Sequence, residues 1–327
     1  MILDSNSSFV IYQKPNTNVS YLINGKWNNY ASEKSGFIIQ SFNNEHQLIL
    51  EGRKVILSNE KIQITPPLNS QEESNISKEE YIHQVQKFIE ICNTDIQKVV
   101  SSRTLTYPTE KQVDIFELYK TYCKQYKNAF VYILNIPNKG MWMGATPEII
   151  VSKSEKEIYT MALAGSQVKT STKINWKDKE KEEHQFVIDD ILEKLATKNI
   201  TTKIQSTTTI FAGNVAHLHT KININSPTEN LKQIADLLHP TSATCGTPQE
   251  KAKEFILKNE QHNREFYTGY LGLIDEDLYV NLRCMKVYSK KFDLYIGGGI
   301  TKASNAEKEW EETELKSKTL LSIIEKM

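Results

Sequence analysis

The sequence predicts an α+β fold built on large, mostly antiparallel sheets. Short alternating apolar runs fill the first 67 residues or so, with no helical period among them. Strands and helices then come in groups rather than as regular βαβ units, the pattern of segregated α+β chains. At 327 residues the chain can bury a large core, as one big domain or two closely joined halves.

Strands are expected over 9–12, 20–23, 36–42, 47–50, 55–57 and 61–64, each broken by Asn, Gly or Lys. A polar linker follows at 71–75. Ser77 and Glu80 stand at capping-box spacing and open a helix whose apolar residues Ile82, Val85, Ile89 and Cys92 repeat at helical spacing. A strand through Val99 and Val100 precedes a helix over 115–126. Strands recur at 129–135, 140–145, 148–153 and 158–164. A long helix over 178–197 turns Val187, Ile191 and Leu195 to the core. A strand at 207–212, helices at 228–238 and 248–259, and strands at 267–274, 278–287 and 292–296 lead into a last helix. No internal repeat interrupts this order.

Composition narrows the function classes. Lys plus Arg and Asp plus Glu both total 40, so no global charge argues for nucleic acid or an acidic membrane surface. Cys92, Cys123, Cys245 and Cys284 are scattered without Cys-x-x-Cys spacing and read as reduced thiols. No apolar run has the length of a bilayer span, and the first ten residues lack a signal-peptide pattern. A cytoplasmic protein without membrane or nucleic-acid partner is expected.

The C-terminal end is the most informative stretch. Gly297, Gly298 and Gly299 leave an apolar strand and let a ligand approach the backbone. Ser304 and Glu307 stand at capping-box spacing, so a helix should begin near Asn305. Glu309, Glu312, Thr313 and Lys316 then share one helical stripe. That stripe suits either a solvated helix face with i,i+4 pairs or an anionic ligand held partly through a divalent metal.

Elsewhere single residues carry two readings. Lys98 starts a strand, where a lysine is usually solvated; as a base it would have to be neutral through desolvation or a nearby positive charge. Glu148 follows Pro147 in a turn. Glu183 lies four residues before Val187, on the same helix face. Arg283 alternates with Asn281 and Tyr279 on a strand, where it could pair across the sheet or grip a carboxylate. His217 and His219 alternate on a strand, but zinc would need more ligands than the sequence places nearby.

Several motifs in order resemble those of the chorismate-utilising enzymes, which include isochorismate, salicylate, anthranilate and aminodeoxychorismate synthases. They are Lys98-Val99-Val100-Ser101-Ser102-Arg103, Gly144-Ala145-Thr146-Pro147-Glu148, Ala162-Leu163-Ala164-Gly165-Ser166, Glu183-His184, Ala216-His217-Leu218-His219-Thr220, the stretch from His239 to Pro248, Arg264 to Gly269, Leu282-Arg283-Cys284 and the glycine strand. The match covers about 76–327, so 76–327 is expected to be a chorismate-binding catalytic domain. Residues 1–75 would be a β-rich segment integrated into the fold, supplying edge strands. The resemblance implies two intertwined α/β subdomains whose sheets pack face to face with helices outside.

The same resemblance implies roles. Lys98 would activate water and Glu148 protonate a leaving hydroxyl. Ala164, Gly165, Ser166, His217, Thr220, Tyr267, Arg283, Gly297, Gly298, Gly299 and Lys316 would bind chorismate. Glu183 and Glu312, with Glu309 through water, would hold Mg²⁺. Ala164 stands where aminodeoxychorismate synthases carry a nucleophilic lysine. The expected activity is Mg²⁺-dependent, reversible isochorismate synthesis by a monomer without a glutaminase subunit. The alternatives are a salicylate synthase and an ammonia-using anthranilate synthase subunit, the latter disfavoured by Lys98. Gln167 departs from the arginine often found after the Gly-Ser pair.

Overall fold

The computed structural model describes residues 1–31, 34–58, 61–68, 75–154, 157–168, 174–212, 215–225 and 230–327, with the side chains of Val168 and Ala212 left aside. The expected linker over 71–74 and helix start at 228 lie outside these residues. Among them, six helices flank one long ladder of strands. The helices are α1 (Lys78–Ile91), α2 (Ile115–Gln125), α3 (Asp178–Ala196), α4 (Leu231–Leu238), α5 (Gln249–Asn259) and α6 (Ala306–Ile324). None is long and apolar enough to cross a membrane.

Every pairing in the ladder is antiparallel, as the alternating patterns predict. It starts at Gly246–Thr247 and passes through Lys98–Pro108, Lys291–Thr301, Cys284–Val287, Gly140–Thr146, Phe130–Ile136 and Phe9–Gln13. It crosses by way of Ser20–Asn29 and Gln47–Ile56 into Phe37–Gln40, Tyr270–Leu273, Asp277–Val280, Ile149–Lys153, Ile158–Val168 and Val215–Asn225. Thr201–Ile204 and Thr208–Ala212 both pair with the last of these.

The two expected sheets are therefore halves of one continuous ladder that folds back on itself. The first ends of the Ser20–Asn29 and Gln47–Ile56 strands pair into opposite halves. Between them Gly25 faces Gly52, and a Cβ on either would overlap the opposite backbone. The N-terminal segment thus supplies the middle of the ladder, where edge strands were expected. Side chains of the two halves meet in a core drawn almost wholly from strands. Phe130 stacks on Tyr279 with ring centroids 4.4 Å apart, and Trp142 meets Phe266 edge-on at 5.6 Å. Outside, α2 and the end of α6 cover one half. Helices α3 and α4 cover the other. Helices α1 and α5 close over the ladder's first strands.

Local details correct the sequence reading. The strands expected at 47–50 and 55–57 are one, and the strand expected over 278–287 breaks at Asn281–Arg283. Helix α1 has its capping box, but its buried face runs through Tyr81, Gln84, Val85 and Phe88, leaving Ile82 and Ile89 partly exposed. Helix α6 is capped by Asn305, whose side chain accepts from Lys308 N; Ser304 instead turns back to accept from Thr301 N. Replacing Gly25 with alanine should cost about 1–3 kcal/mol, because the added methyl has only backbone to push against. Urea unfolding of the purified variant measures this; an unchanged midpoint would mean the bend does not depend on the glycine pair.

Candidate active site

The strand Lys291–Thr301 runs beside Lys98–Pro108 over eleven paired residues, bringing Gly299 opposite Val100 and Thr301 opposite Lys98. Beyond it the chain turns into α6. Arg103, from the Lys98 strand, fixes that helix: its Nε donates to Thr313 Oγ1 at 3.0 Å, its Nη2 pairs with Glu314, and its guanidinium lies 4.1 Å from the Trp310 ring. This sets the helix rotation, so Glu312 and Lys316 face a pocket with Glu309 beside them. The pocket encloses about 930 Å³ of empty space, part of it at an open mouth.

Glu148, Ala164, Gly165, Ser166, Glu183, His217, Tyr267, Arg283, the three glycines, Glu312 and Lys316 all line it. Three expected residues do not. Lys98 lies behind the wall, fully buried, with its Nζ 3.0 Å from Glu183 Oε1. Glu309 is buried beside the wall. Thr220 is turned away: its hydroxyl meets His184 Nε2 and Thr207 Oγ1, each at 2.8 Å, and serves the packing of α3 on the sheet.

The bulge at Gly165 explains how one strand serves the site. Ala164 pairs with Leu218 and Ser166 with His217, leaving Gly165 as an extra residue with φ +69°. A Cβ there would stand 2.8 Å from Glu180 O, so the glycine lets α3 start close to the strand. Gln167, the departure noted above, bonds Glu180 Oε2 at 3.1 Å and secures the same junction. Arg283 sits on the break between strands with φ +48°, so the expected alternation with Asn281 fails and the guanidinium is aimed sideways. Its Nη2 donates to His217 Nε2 at 3.1 Å, which leaves the proton on Nδ1 for Ser166 Oγ, also at 3.1 Å. Burial, helped by Arg283 and Lys316, holds that imidazole neutral, its pKa well below the usual histidine value.

Two glutamates in this pocket have opposite electrostatics. Burial pushes the Glu148 carboxyl up to about 8, against the opposing pull of Lys98 and Arg283. For Glu183 burial also works upward, but Lys98, Lys316 and Lys179 outweigh it and its pKa is lowered. Glu309 is raised by burial and by Glu312, with Lys179 opposing.

The carboxylates expected to hold a metal converge on the glycines. A Cβ on Gly298 would lie 3.6 Å from Glu309 Oε2 and 3.7 Å from Glu312 Oε1, and one on Gly299 would overlap Glu183 Oε1. Each is taken by a lysine: Glu183 by Lys98, Glu309 by Lys179 at 3.0 Å, and Glu312 by Lys316 at 2.7 Å. Among the described residues no three His, Cys, Asp or Glu side chains form a ready ligand set. The donors are hard oxygens around a cradle without side chains, which fits Mg²⁺ chemically once lysines give way.

Residues not singled out from the sequence complete the walls. Val100, Leu163, Leu294, Ile296 and Leu320 supply apolar surface, and Thr244, Thr268 and Ser317 supply hydroxyl side chains. Periodicity marks such apolar positions as core, and nothing in sequence separates pocket wall from core. Arg264 holds part of this wall from behind, donating to Thr244 O and Val100 O while paired with Glu260. Lys179 could be read only as one charge in a charged run.

The comparisons fit this geometry. The family model described as "Chorismate binding enzyme" matches residues 28–325. The chain belongs to the chorismate-binding enzymes. It is 26% identical over 253 residues to isochorismate synthase DhbC of Bacillus subtilis, covering 71% of this chain and 64% of that protein. It is 28% identical over 244 residues to isochorismate synthase EntC of Escherichia coli K12, covering 70% and 62%. It thus spans less than two thirds of either relative's length. The crystal structure of DhbC from Bacillus anthracis superposes with TM-score 0.82 at 25% identity, covering 98% of this chain and 97% of that one. The match reaches back to residue 28, well into the N-terminal strands that the motifs alone left out.

Glu148 gives a stability test independent of any substrate. Its folded carboxyl keeps its proton to about pH 8, while the unfolded one ionises near 4.5. The native state therefore binds more protons between these values, and stability falls as pH rises through that window, by at most about 1.4 kcal/mol per pH unit. Melting curves of wild type and Glu148→Gln should converge below pH 4.5 and separate in the variant's favour toward pH 8. Parallel curves would mean the carboxyl is not raised.

Proposed function

We propose that the protein is an isochorismate synthase, converting chorismate reversibly to isochorismate. The observation that carries this reading is a buried, proton-holding Glu148 in the same pocket as the cationic Arg283 and Lys316, with Lys98 just behind. A glutamic acid protonated at neutral pH is useful only as a donor, and two cations suit a dicarboxylate.

In this reading Arg283 and Lys316 bind the substrate carboxylates, and neutral His217 fixes the Arg283 fork. Glu148 gives its proton to the C4 hydroxyl as the C4–O bond breaks and water leaves. The attacking water bonds to C2, the ring double bonds shift, and Lys98 takes the proton that water sheds. Glu183 Oε1 holds the Lys98 Nζ in place at 3.0 Å. Glu183 and Glu312, with Glu309 through water, would hold Mg²⁺, which would supply Lewis-acid stabilisation to the substrate carboxylate. With water as nucleophile, no glutaminase subunit is needed.

Incubation of the purified protein with chorismate and Mg²⁺, followed by chromatography, should give a chorismate–isochorismate mixture without stoichiometric pyruvate. Accumulating salicylate and pyruvate would replace this reading with a salicylate synthase; anthranilate formed with ammonia would replace it with the ammonia-using alternative. Lys98→Ala and Glu148→Gln should each slow turnover by about two to four orders of magnitude, with much smaller changes in KM. Turnover by Lys98→Ala within a few-fold of wild type would remove the water-activating role. Glu183→Gln and Glu312→Gln should each abolish Mg²⁺-dependent turnover while circular dichroism stays native, because each loses an anionic ligand.

A further inference from the structure

We propose that Lys179 is a tethered cation that holds the place of the divalent ion, competing with it for Glu309. This rests on the metal assignment just given and extends it to a residue with no part in binding or proton transfer.

Glu309 is 3% exposed and sits beside a second carboxylate, Glu312. A carboxylate buried next to a like charge keeps its own charge only where a cation meets it. Lys179 supplies it at 3.0 Å, and the charges of Glu183 and Glu312 act on the same ammonium. Of the three lysines at the carboxylates, Lys98 is buried under the pocket wall. Lys316 is also bound to Gly297 O at 2.9 Å. Lys179 has, among the described residues, Glu309 as its sole hydrogen-bond acceptor. Its side chain is about one-third exposed and springs from the first turn of α3. It can swing into solvent without unfolding anything.

Each of the three carboxylates is already matched to a lysine before an ion enters. An incoming divalent ion must therefore displace positive charge to be neutralised, and Lys179 is the group free to go. A permanent structural partner of Glu309 would behave oppositely: its loss would disorder the carboxylate and weaken the ion's hold.

The test is direct binding of Mn²⁺, a spectroscopic stand-in for Mg²⁺, to substrate-free protein by calorimetry or electron paramagnetic resonance. Lys179→Gln should bind Mn²⁺ on the order of tenfold more tightly, a gain already discounted for the lysine's partial exposure. Lys179→Arg, which keeps the charge, should bind as wild type does. So should Lys181→Gln, which removes an exposed charge paired with Asp178 on the same helix. Metal-free Lys179→Gln should melt below wild type, and saturating Mn²⁺ should raise its Tm more than it raises that of wild type. Equal or weaker binding by Lys179→Gln while wild type binds would overturn the place-holder role and leave the metal assignment standing. Binding by neither protein would overturn both. An equal gain in Lys181→Gln would reduce the effect to general surface charge and overturn the specific role.

Discussion

The site depends on the absence of a side chain at Gly299. The Lys98 strand and the glycine strand lie side by side, and Glu183 reaches Gly299 from α3. Any Cβ there would overlap Glu183 Oε1 and stand 2.9 Å from Lys98 Cε. The ion pair between these residues therefore forms across a bare stretch of backbone. The same strip gives Glu309 and Glu312 their common approach at Gly298. Polar groups from two helices and a strand converge within a few ångströms only because three consecutive residues contribute no side-chain volume.

Convergence also needs fixed helices. Among the described residues Arg103 is the largest fully buried charged side chain, and its side-chain partners lie on α6 or pack against it. Because it comes from the strand that begins at Lys98, it ties the candidate base and the carboxylate stripe to a single backbone. On the opposite side, Gly165 and the Gln167–Glu180 bond hold the start of α3 against the bulged strand, and His184 anchors the next turn on Thr220. His184 and Thr220 thus serve by positioning Glu183. Thr220 matched a family motif yet faces away from the pocket, so a motif residue can be required for geometry alone.

Legibility in sequence followed the range of the interactions involved. The alternating pattern of the strands, the α1 capping box and the stripe on α6 depend on neighbours within a few residues, and each could be read from spacing. The pocket residues were reached through motif resemblance; spacing alone left Glu183 and Lys98 as solvated charges. What could not be read depends on contacts distant in the chain. The fold-back at Gly25 and Gly52 becomes visible only when two strands are paired across 26 residues of sequence. The N-terminal strands join the halves because Phe9–Gln13 pairs with Phe130–Ile136 and Phe37–Gln40 with Tyr270–Leu273, partners more than 100 residues away. Arg283 looked like an ordinary strand residue because periodicity cannot register one residue in the left-handed region. Lys179 was hidden in a charged run, and only its partner's burial marks it out.

The contrast between Glu148 and Glu183 shows how one pocket can keep two carboxyl groups in different states. Both are shielded from water, so burial alone would raise each and leave both protonated. Glu183 has a lysine in direct contact and two more within electrostatic reach, and it remains an anion. Glu148 feels Lys98 and Arg283 without a hydrogen-bonded cation, and burial prevails. The distinction follows from the position of Lys98, which touches one glutamate and not the other. An acid that holds its proton and a carboxylate that has lost its own therefore coexist in one pocket at one pH.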